Sequence, residues 1–311
     1  MSNAIVTPRA DSKVKVRRAS PLQTAFRKLL KNKLATICFV ILVIEMLLIL
    51  LAPVIAPYDP EATDIRAKLA AGFWAQYSTN PAVVKTYVPG HFFGTDHLGR
   101  DVLSRLLWGG RISLAVGFIS TAMGTVVGVV LGLLAGYYRR LDNPIMRLMD
   151  LLFTFPGILL AMLIIAMLGA STFNAALAIS IWSVPNFARM VRGRVLQIKE
   201  DDYIMAIRSV GASDARIIFG HILKNCLPLI IVIATMRMAT SIISISTLSY
   251  LGMGVPPPAP EWGGMIAAAK EYMWKRASLI VIPGVAVMIT IICFNVLGDK
   301  LRDILDPSLK D

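Results

Sequence analysis

The 311-residue sequence is poor in charged residues, histidine and cysteine. Charged residues make up 16% of it, against about 25% in soluble globular domains, and there are three histidines and three cysteines. Cys38, Cys226 and Cys293 all lie in or beside apolar runs, and no pair of them has the spacing of metal ligands. This composition argues against a soluble globular domain, a disulfide-stabilised fold and a cysteine-bound metal.

Motifs that perform catalysis are also missing. No glycine-rich phosphate loop is followed by lysine and a hydroxyl residue, so the sequence does not predict ATP hydrolysis by this chain. Serine, histidine and acidic residues form no nucleophile pattern. His91, Asp96, His97 and Asp101 lie close together, but their spacing matches no strong metal-ligand pattern. We therefore expect no catalytic residue, metal site or cofactor in this chain.

Apolar residues are abundant instead, at 56% of the chain with a mean hydropathy of +0.66. A helix needs about 20 mostly apolar residues to cross about 30 Å of hydrocarbon. The segments that meet this requirement are 34–56, 112–137, roughly 145–168, 173–190, 227–251 and 277–297. The fourth is the weakest, because Asn174, Pro185 and Asn186 interrupt it. The sequence thus predicts an all-α, polytopic membrane protein with six transmembrane helices.

Lysine and arginine are distributed unevenly along the chain. With the N-terminus in the cytoplasm, 22 of the 32 lie on the cytoplasmic side and nine on the outer side, and Arg237 alone lies inside a span. Positive residues favour the cytoplasmic side, so both termini are predicted to be cytoplasmic. This bias explains the net charge of +13, and we expect the chain to contact a lipid bilayer and no nucleic acid.

The predicted topology divides the chain into five parts. They are a basic cytoplasmic tail with an amphipathic surface helix (1–33), the first transmembrane helix (34–56), an extracellular or periplasmic segment (57–111), a five-helix core with a cytoplasmic loop at 199–226 (112–300), and a cytoplasmic tail (301–311).

Two shorter features flank the first span. In SPLQTAFRKLLKNK (20–33) the apolar residues share one helical face, which favours an amphipathic helix on the membrane surface. A basic flank that only fixes topology is the alternative. Residues 101–108 have the pattern of a short amphipathic helix, and Gly109-Gly110 allows a break before the second span.

Gly124, Gly128, Gly132 and Gly136 recur every four residues in the second span. This spacing places them on one side of a helix, where a neighbouring backbone can approach closely. The sequence predicts a tight helix–helix seam, and general glycine enrichment in membrane spans is the alternative.

Charged residues inside predicted spans cost about 2.5–3.5 kcal/mol each and so need an explanation. Arg147 and Asp150 are three residues apart and are expected to pair with each other. Arg237 either faces a polar cavity or snorkels toward the cytoplasm. Glu45 is expected to be protonated or hydrogen-bonded to another helix. Arg237 and Glu45 are therefore the candidates for a transport pathway.

The polar stretch KEDDYIMAIRSVGASDARIIFGHILKNCLP (199–228) separates two apolar runs. Residues 201–210 favour a helix, and Gly211 suits the left-handed residue that ends it. Ser213 can cap a second helix with Asp214 in its first turn, and Pro228 is expected near the start of the next span. The sequence predicts two short helices at an angle on the cytoplasmic side.

The first of these helices has a small apolar face formed by Tyr203, Ala206, Ile207 and Val210. An exposed patch of this kind suits a groove on a partner protein. A solvated connecting loop that packs on its own bundle is the alternative.

Five motifs occur in order along the chain: FGTDHLGRDVLSRLLWGGRISL (93–114), MRLMDLLFTFPGILLA (146–161), GASDARIIFGHIL (211–223), LSYLGMGVPPPAPEWGGMI (248–266) and FNVLGDKLRDILDP (294–307). Together with the predicted spans, they resemble binding-protein-dependent permeases of ABC importers. More narrowly, the chain is similar to the second permease of dipeptide and oligopeptide importers, a group that includes nickel and glutathione systems.

The resemblance implies that residues 201–223 are coupling helices that dock on a separate ATPase subunit. The residues it assigns to this contact are Tyr203, Ala206, Ile207, Arg208, Gly211, Ala212, Ser213 and Arg216. It also implies two ATPase subunits that bind ATP and Mg²⁺, a second related permease, an extracellular solute-binding protein that delivers a peptide, and a multi-pass location in the bacterial plasma (inner) membrane.

The chain departs from the family pattern at four positions. It has Met205-Ala206-Ile207 where the family usually has Glu-Ala-Ala, Lys224 where a proline is common, and Ile245 near a position that often carries a carboxylate. The cargo stays open between a dipeptide, a longer peptide, nickel and another small solute. The alternatives from other classes are an ion-coupled secondary transporter, for which Glu45 is the isolated carboxylate available, and a purely structural membrane subunit.

Overall fold

The computed structural model describes residues 28–305, which are mostly helical. Its longer helices are α1 (Lys33–Leu50), α2 (Val102–Tyr137), α3 (Arg139–Thr154), α4 (Gly157–Leu168), α5 (Thr172–Ile198), α6 (Asp202–Ser209), α7 (Asp214–Tyr250), α8 (Trp262–Ala269) and α9 (Ser278–Leu305). Short helical turns lie at Ala52–Ile55, Ile65–Ala67, Phe73–Tyr77, Pro81–Val84 and Lys270–Tyr272. Most of the helix predicted at 20–33 lies outside the described residues.

Four helices are long and apolar enough to cross a membrane, namely α1, α2, α7 and α9, and the count reaches five if the bent pair α3–α4 forms one span. The predicted fourth span lies within α5, which has 27 residues and therefore a length of about 40 Å. Because α5 contains polar residues, it is not apolar enough to be identified as a membrane span from its composition. The number of six spans and the cytoplasmic placement of both termini stay predictions.

The predicted third span is bent. Helices α3 and α4 meet at 92°, because Phe155 has an extended backbone (φ −89°, ψ 132°) and a residue that precedes proline, here Pro156, disfavours the helical conformation. In α3, Met149 is buried, whereas Leu148 and Leu151 are exposed. The predicted span over 145–168 is therefore not one continuous helix, since its first ten residues belong to the amphipathic α3.

The predicted break at Gly109-Gly110 is absent, because α2 continues through both residues. A Cβ atom on Gly110 would lie 2.6 Å from Ile49 Cδ1 and 2.8 Å from Trp262 Cζ2. The two glycines are thus explained by close packing against α1 and α8.

Pro228 also lies inside a helix, not near the start of one. The second short helix of the 199–228 stretch continues through a π turn at Ile218–Ile222 into the following span. Pro228 removes the N–H that would bond Lys224 O, and Lys224 is exposed, so this carbonyl can bond water instead.

The centre of the bundle is the long parallel contact of α2 with α5, against which α7 packs. Helix α9 packs on α7, and α1 lies outermost on α9. The contact of α1 with α9 is apolar around Cys38 and Cys293, with Leu29, Leu42 and Leu297 buried beside them. All three cysteines are free and buried.

Residues 57–101, called the cap segment below, fold over the N-terminal end of α2. Tyr58 N donates to Ser104 Oγ (3.1 Å), and Arg105 Nη1 donates to Pro60 O (2.8 Å). Asp101 caps α2 by accepting from Ser104 N (2.7 Å), and its other oxygen lies 2.9 Å from His91 Nδ1. The cap segment is therefore fixed to the first turns of α2.

The four glycines of the second span face α5. A Cβ atom on any of them would lie 1.8–2.7 Å from an atom of α5, at Ser183, Phe187, Ala188 and Val195 in turn. Helix α5 presents mainly backbone carbonyls and Cβ atoms at this contact, so the two helices approach closely over about three turns.

Gly128→Ala is expected to lower the free energy of unfolding by about 1–3 kcal/mol. The added methyl group would lie 2.5 Å from Phe187 Cβ and 2.8 Å from Val184 O, and neither atom is the end of a flexible side chain. Gly193→Ala is the matched control, because nothing lies within 4 Å of a Cβ at that position of α5. Thermal unfolding of the purified variants checks this prediction, and equal melting temperatures would contradict it.

Asp150 does not pair with Arg147 as predicted. Its carboxylate accepts from Arg189 Nη2 on α5 (2.6 Å), and the Arg189 guanidinium lies over the Phe153 ring at 4.2 Å. A second pair joins the same helices, since Arg192 donates two hydrogen bonds to Asp142 (2.5 and 2.6 Å). The local prediction was wrong because α5 lies alongside α3 and offers these carboxylates arginines from another helix.

Candidate functional site

Two helices meet at the Gly211 turn as predicted, but only the first is short, because the second is the beginning of α7. Residues 201–223 are called the two-helix element below. Helix α6 ends in a left-handed Gly211 (φ +86°). Ala212 N donates to Ile207 O (3.3 Å) and Gly211 N donates to Arg208 O (2.9 Å), which is the hydrogen-bond pattern of a Schellman motif. Ser213 Oγ then accepts from Arg216 N (3.4 Å) at the start of α7. The glycine is needed for its backbone angle alone, because nothing lies within 4 Å of its Cβ position.

One side of the two-helix element is buried in the bundle. Ile204, Ile217 and Ile222 are at most 1% exposed and pack with Val195 and Tyr137 at the ends of α5 and α2. Ile207 and Ala212 are partly buried against the same cluster. The element is thus held on a rigid base.

The other side forms an open concavity of about 410 Å³, lined by Ala206, Ile207, Val210, Gly211, Ala212 and Arg216. Val210 is 89% exposed at its edge. The floor is apolar and small, and Arg216 supplies a positive charge at the rim. Such a surface suits a partner protein that presents an apolar side chain next to an acidic one.

Three of the predicted contact residues have other roles within the element. Ser213 caps α7, and the Tyr203 hydroxyl accepts from Asn225 Nδ2 (2.8 Å). Arg208 Nη2 donates to the Tyr137 hydroxyl (3.1 Å), and this hydrogen bond raises the pKa of Arg208. These side chains hold the element together, while the five others line the concavity.

The C-terminal end of α2 is a part of the site that sequence reasoning missed. The Tyr137 hydroxyl donates to Asp214 Oδ1 (2.6 Å) while it accepts from Arg208. Lys199 Nζ donates to Gly136 O (3.3 Å) and so bonds a terminal carbonyl of the same helix. No motif marks Tyr137, because its partners are 71 and 77 residues away along the chain.

The two predicted pathway residues lie apart from this surface and from each other. Arg237 is half-buried in α7 and has no ion-pair partner among residues 28–305. Glu45 Oε1 lies 2.5 Å from Thr290 Oγ1, which is also 2.8 Å from Ala286 O. Glu45 therefore has a hydrogen-bond partner on α9, where Thr290 Oγ1 donates to it.

The histidines of the cap segment have ordinary packing contacts. His91 bonds Asp101, and the His97 ring stacks on Tyr272 with centroids 5.3 Å apart. Burial lowers the pKa of His97.

Comparison with known proteins gives a consistent set of matches. Residues 128–311 match the family model described as binding-protein-dependent transport system inner membrane component, and residues 20–72 match the N-terminal transmembrane domain of oligopeptide transport permease C. The chain is 45% identical over 253 residues to a glutathione transport system permease protein of Pectobacterium atrosepticum, covering 78% of this chain and 84% of the relative. It is 39% identical over 292 residues to a dipeptide transport system permease protein of Alkalihalophilus pseudofirmus, covering 94% and 91%.

Among solved structures, an inward-facing conformation of the MetNI methionine ABC transporter matches with a TM-score of 0.54 and 21% sequence identity. The match covers 64% of this chain and 96% of that chain. At this identity the likeness concerns the fold, which is that of an ABC importer permease.

Proposed function

The chain belongs to the family of binding-protein-dependent transport system inner membrane components, and from this premise we propose that it is a peptide-importing permease driven by separate ATPase subunits. A permease of an ABC importer is a transport component of the membrane. It works together with ATPase and binding-protein partners. This function is favoured over an ion-coupled secondary transporter, since the similar proteins are ABC transport permeases.

The observation that carries the proposal is the concavity of the two-helix element. It is open and apolar on one side and rests on buried isoleucines on the other, so a partner that docks there would move the whole element without deforming it. The proposed partner is the ATPase, whose approach and separation during the ATP cycle would pull the element with it. ATP and Mg²⁺ would bind to two such subunits.

The proposed topology follows the arginine and lysine distribution. The two-helix element and both termini would face the cytoplasm of a bacterium, and the cap segment would face outward, where a solute-binding protein delivers the cargo. A second, related permease would complete the pathway. We place Arg237 on that pathway, because it is a half-buried charge without an acidic partner in the described residues, and we assign Glu45 to the contact of α1 with α9.

A peptide is the proposed cargo. The relatives are named for the transport of glutathione, of dipeptides and, in Brucella abortus, of peptides, and all of these carry amide-linked amino acids and a free carboxylate. Arg237 offers such a carboxylate a positive partner inside the membrane.

Ala206→Trp tests the docking proposal. The indole would fill the concavity from an exposed position, so ATPase subunits should no longer co-purify with the chain, and uptake of labelled alanyl-alanine and of glutathione should fall by about tenfold or more. Ala215→Trp is the matched control, an exposed alanine of α7 that does not line the concavity. Unchanged co-purification for Ala206→Trp would overturn the proposal.

A further inference from the structure

Tyr137 is the last residue of α2 and contacts both helices of the two-helix element. Its hydroxyl donates to Asp214 in the first turn of α7 and accepts from Arg208 in the last turn of α6. The Arg208 guanidinium also lies 5.4 Å from the centre of the Tyr137 ring. One phenol therefore bridges residues on either side of the Gly211 turn.

These hydrogen bonds are the direct polar link between the two-helix element and α2 in the described part of the chain. Arg208 and Asp214 form no ion pair with each other there, so the hydroxyl mediates their contact. The bonds are charge-assisted on both sides, since one partner is a cation and the other an anion. Any displacement of α6 relative to α7 must change the geometry at this hydroxyl.

The surroundings hold the Tyr137 ring in place. Its side chain belongs to the buried cluster of Val195, Ile198, Ile204 and Ile217, and Tyr137 is 9% exposed. The ring packs edge-on against Tyr138 with centroids 5.0 Å apart. Because the ring is confined, the hydroxyl transmits displacement to the helix and is not free to rotate away from it.

Helix α2 reaches the opposite end of the bundle. Its 36 residues give a length of about 54 Å, and its first turns are fixed to the cap segment through Ser104 and Arg105. Trp262 Nε1 donates to Leu106 O (2.9 Å) and adds a contact from α8. A movement applied at Tyr137 therefore acts on a single continuous helix that ends beneath the cap segment.

We propose that Tyr137 is a positioning residue that transmits movement of the two-helix element to α2 and through it to the cap segment. This inference rests on the proposed docking of an ATPase on the two-helix element. It adds the route by which the motion reaches the other side of the bundle.

The test uses Tyr137→Phe in the full reconstituted transporter, with its ATPase and binding-protein partners. Phenylalanine keeps the buried ring and removes the hydroxyl, so ATP hydrolysis should continue while the ATP consumed per imported alanyl-alanine rises on the order of tenfold. Tyr250→Phe is the control at the other end of α7, where the hydroxyl has no hydrogen-bond partner among residues 28–305. An unchanged ratio in Tyr137→Phe would overturn the inference.

Hydrogen exchange of the same complexes with and without Mg-ATP separates this inference from the proposed function. In the unaltered complex, exchange should change both at 202–216 and at 129–137. In Tyr137→Phe, the change at 202–216 should persist and the change at 129–137 should be lost. Retention of both changes overturns the role of Tyr137 alone, whereas no change at 202–216 in the unaltered complex overturns the docking proposal.

Asp214→Ala removes the acceptor of the Tyr137 hydroxyl and leaves Tyr137 unchanged. It therefore tests the same hydrogen bond without the risk of a folding defect caused by Tyr137→Phe. It should give the same loss at 129–137, and the effect of the double variant should be smaller than the sum of the two single effects, since both remove the Tyr137–Asp214 hydrogen bond. Additive effects in the double variant would overturn the inference.

Discussion

Gly211→Val is expected to abolish most of the coupling between ATP hydrolysis and uptake while the chain still inserts. At φ +86° an L-residue with a branched side chain is strained by about 1–2 kcal/mol or more, and the strain is relieved by turning α6 away from α7. The concavity and the Tyr137 bridge both require that these helices keep their angle. Uptake of labelled alanyl-alanine should fall by about tenfold or more, measured beside ATPase activity in proteoliposomes.

Two substitutions control this prediction. Gly211→Asn keeps a residue that tolerates the left-handed conformation and should retain most of the uptake. Gly220→Ala changes a glycine in the π turn, where the nearest neighbour of a Cβ would be Arg216 Cγ at 3.9 Å, and should be close to normal. If valine and asparagine at position 211 gave equal uptake, the backbone angle would not be what the element needs.

Asp96→Ala is expected to unfold the cap segment, with a loss of about 3–5 kcal/mol in its stability. One carboxylate oxygen closes the turn through the backbone N–H groups of Leu98 and Arg100. The other accepts from Arg100 Nε (2.7 Å) and lies 3.7 Å from Arg105 Nε. Both arginines are 6% exposed, so alanine would leave two buried cations without their shared anion.

Hydrogen exchange over 57–101 measures this loss directly. Asp303→Ala is the matched control, since it removes an aspartate from the exposed Lys300–Asp303 pair (2.8 Å), and exposed pairs contribute little to stability. Protection of 57–101 that is equal in the two variants would show that the buried ion cluster does not hold the cap segment.

Features that depend on neighbouring residues were accessible from the sequence. The end of α6, the left-handed Gly211 and the Ser213 cap were predicted correctly, because turn and cap chemistry acts over three or four residues. The ordered motifs likewise led to the permease family, which the comparisons confirm. The apolar runs identified α1, α2, α7 and α9, because spanning a bilayer is a property of a single helix.

Predictions based on residues close in sequence failed where a helix distant in sequence supplies the contact instead. Asp150 pairs with Arg189, 39 residues away, and not with Arg147. Gly109-Gly110 marks a place where Trp262 and Ile49 pack closely, and not a break. In both cases the sequence pattern was compatible with two structures, and packing between helices selected one of them.

The same distinction applies to the candidate site. The sequence determined that a short helix ends at Gly211 and that a second helix begins at Ser213, because cap and turn residues act over three or four positions. It contained no signal that the pair would close around the hydroxyl of Tyr137. That contact exists only once α2 packs against α5 along its four glycines, which brings the end of α2 to the base of the two-helix element.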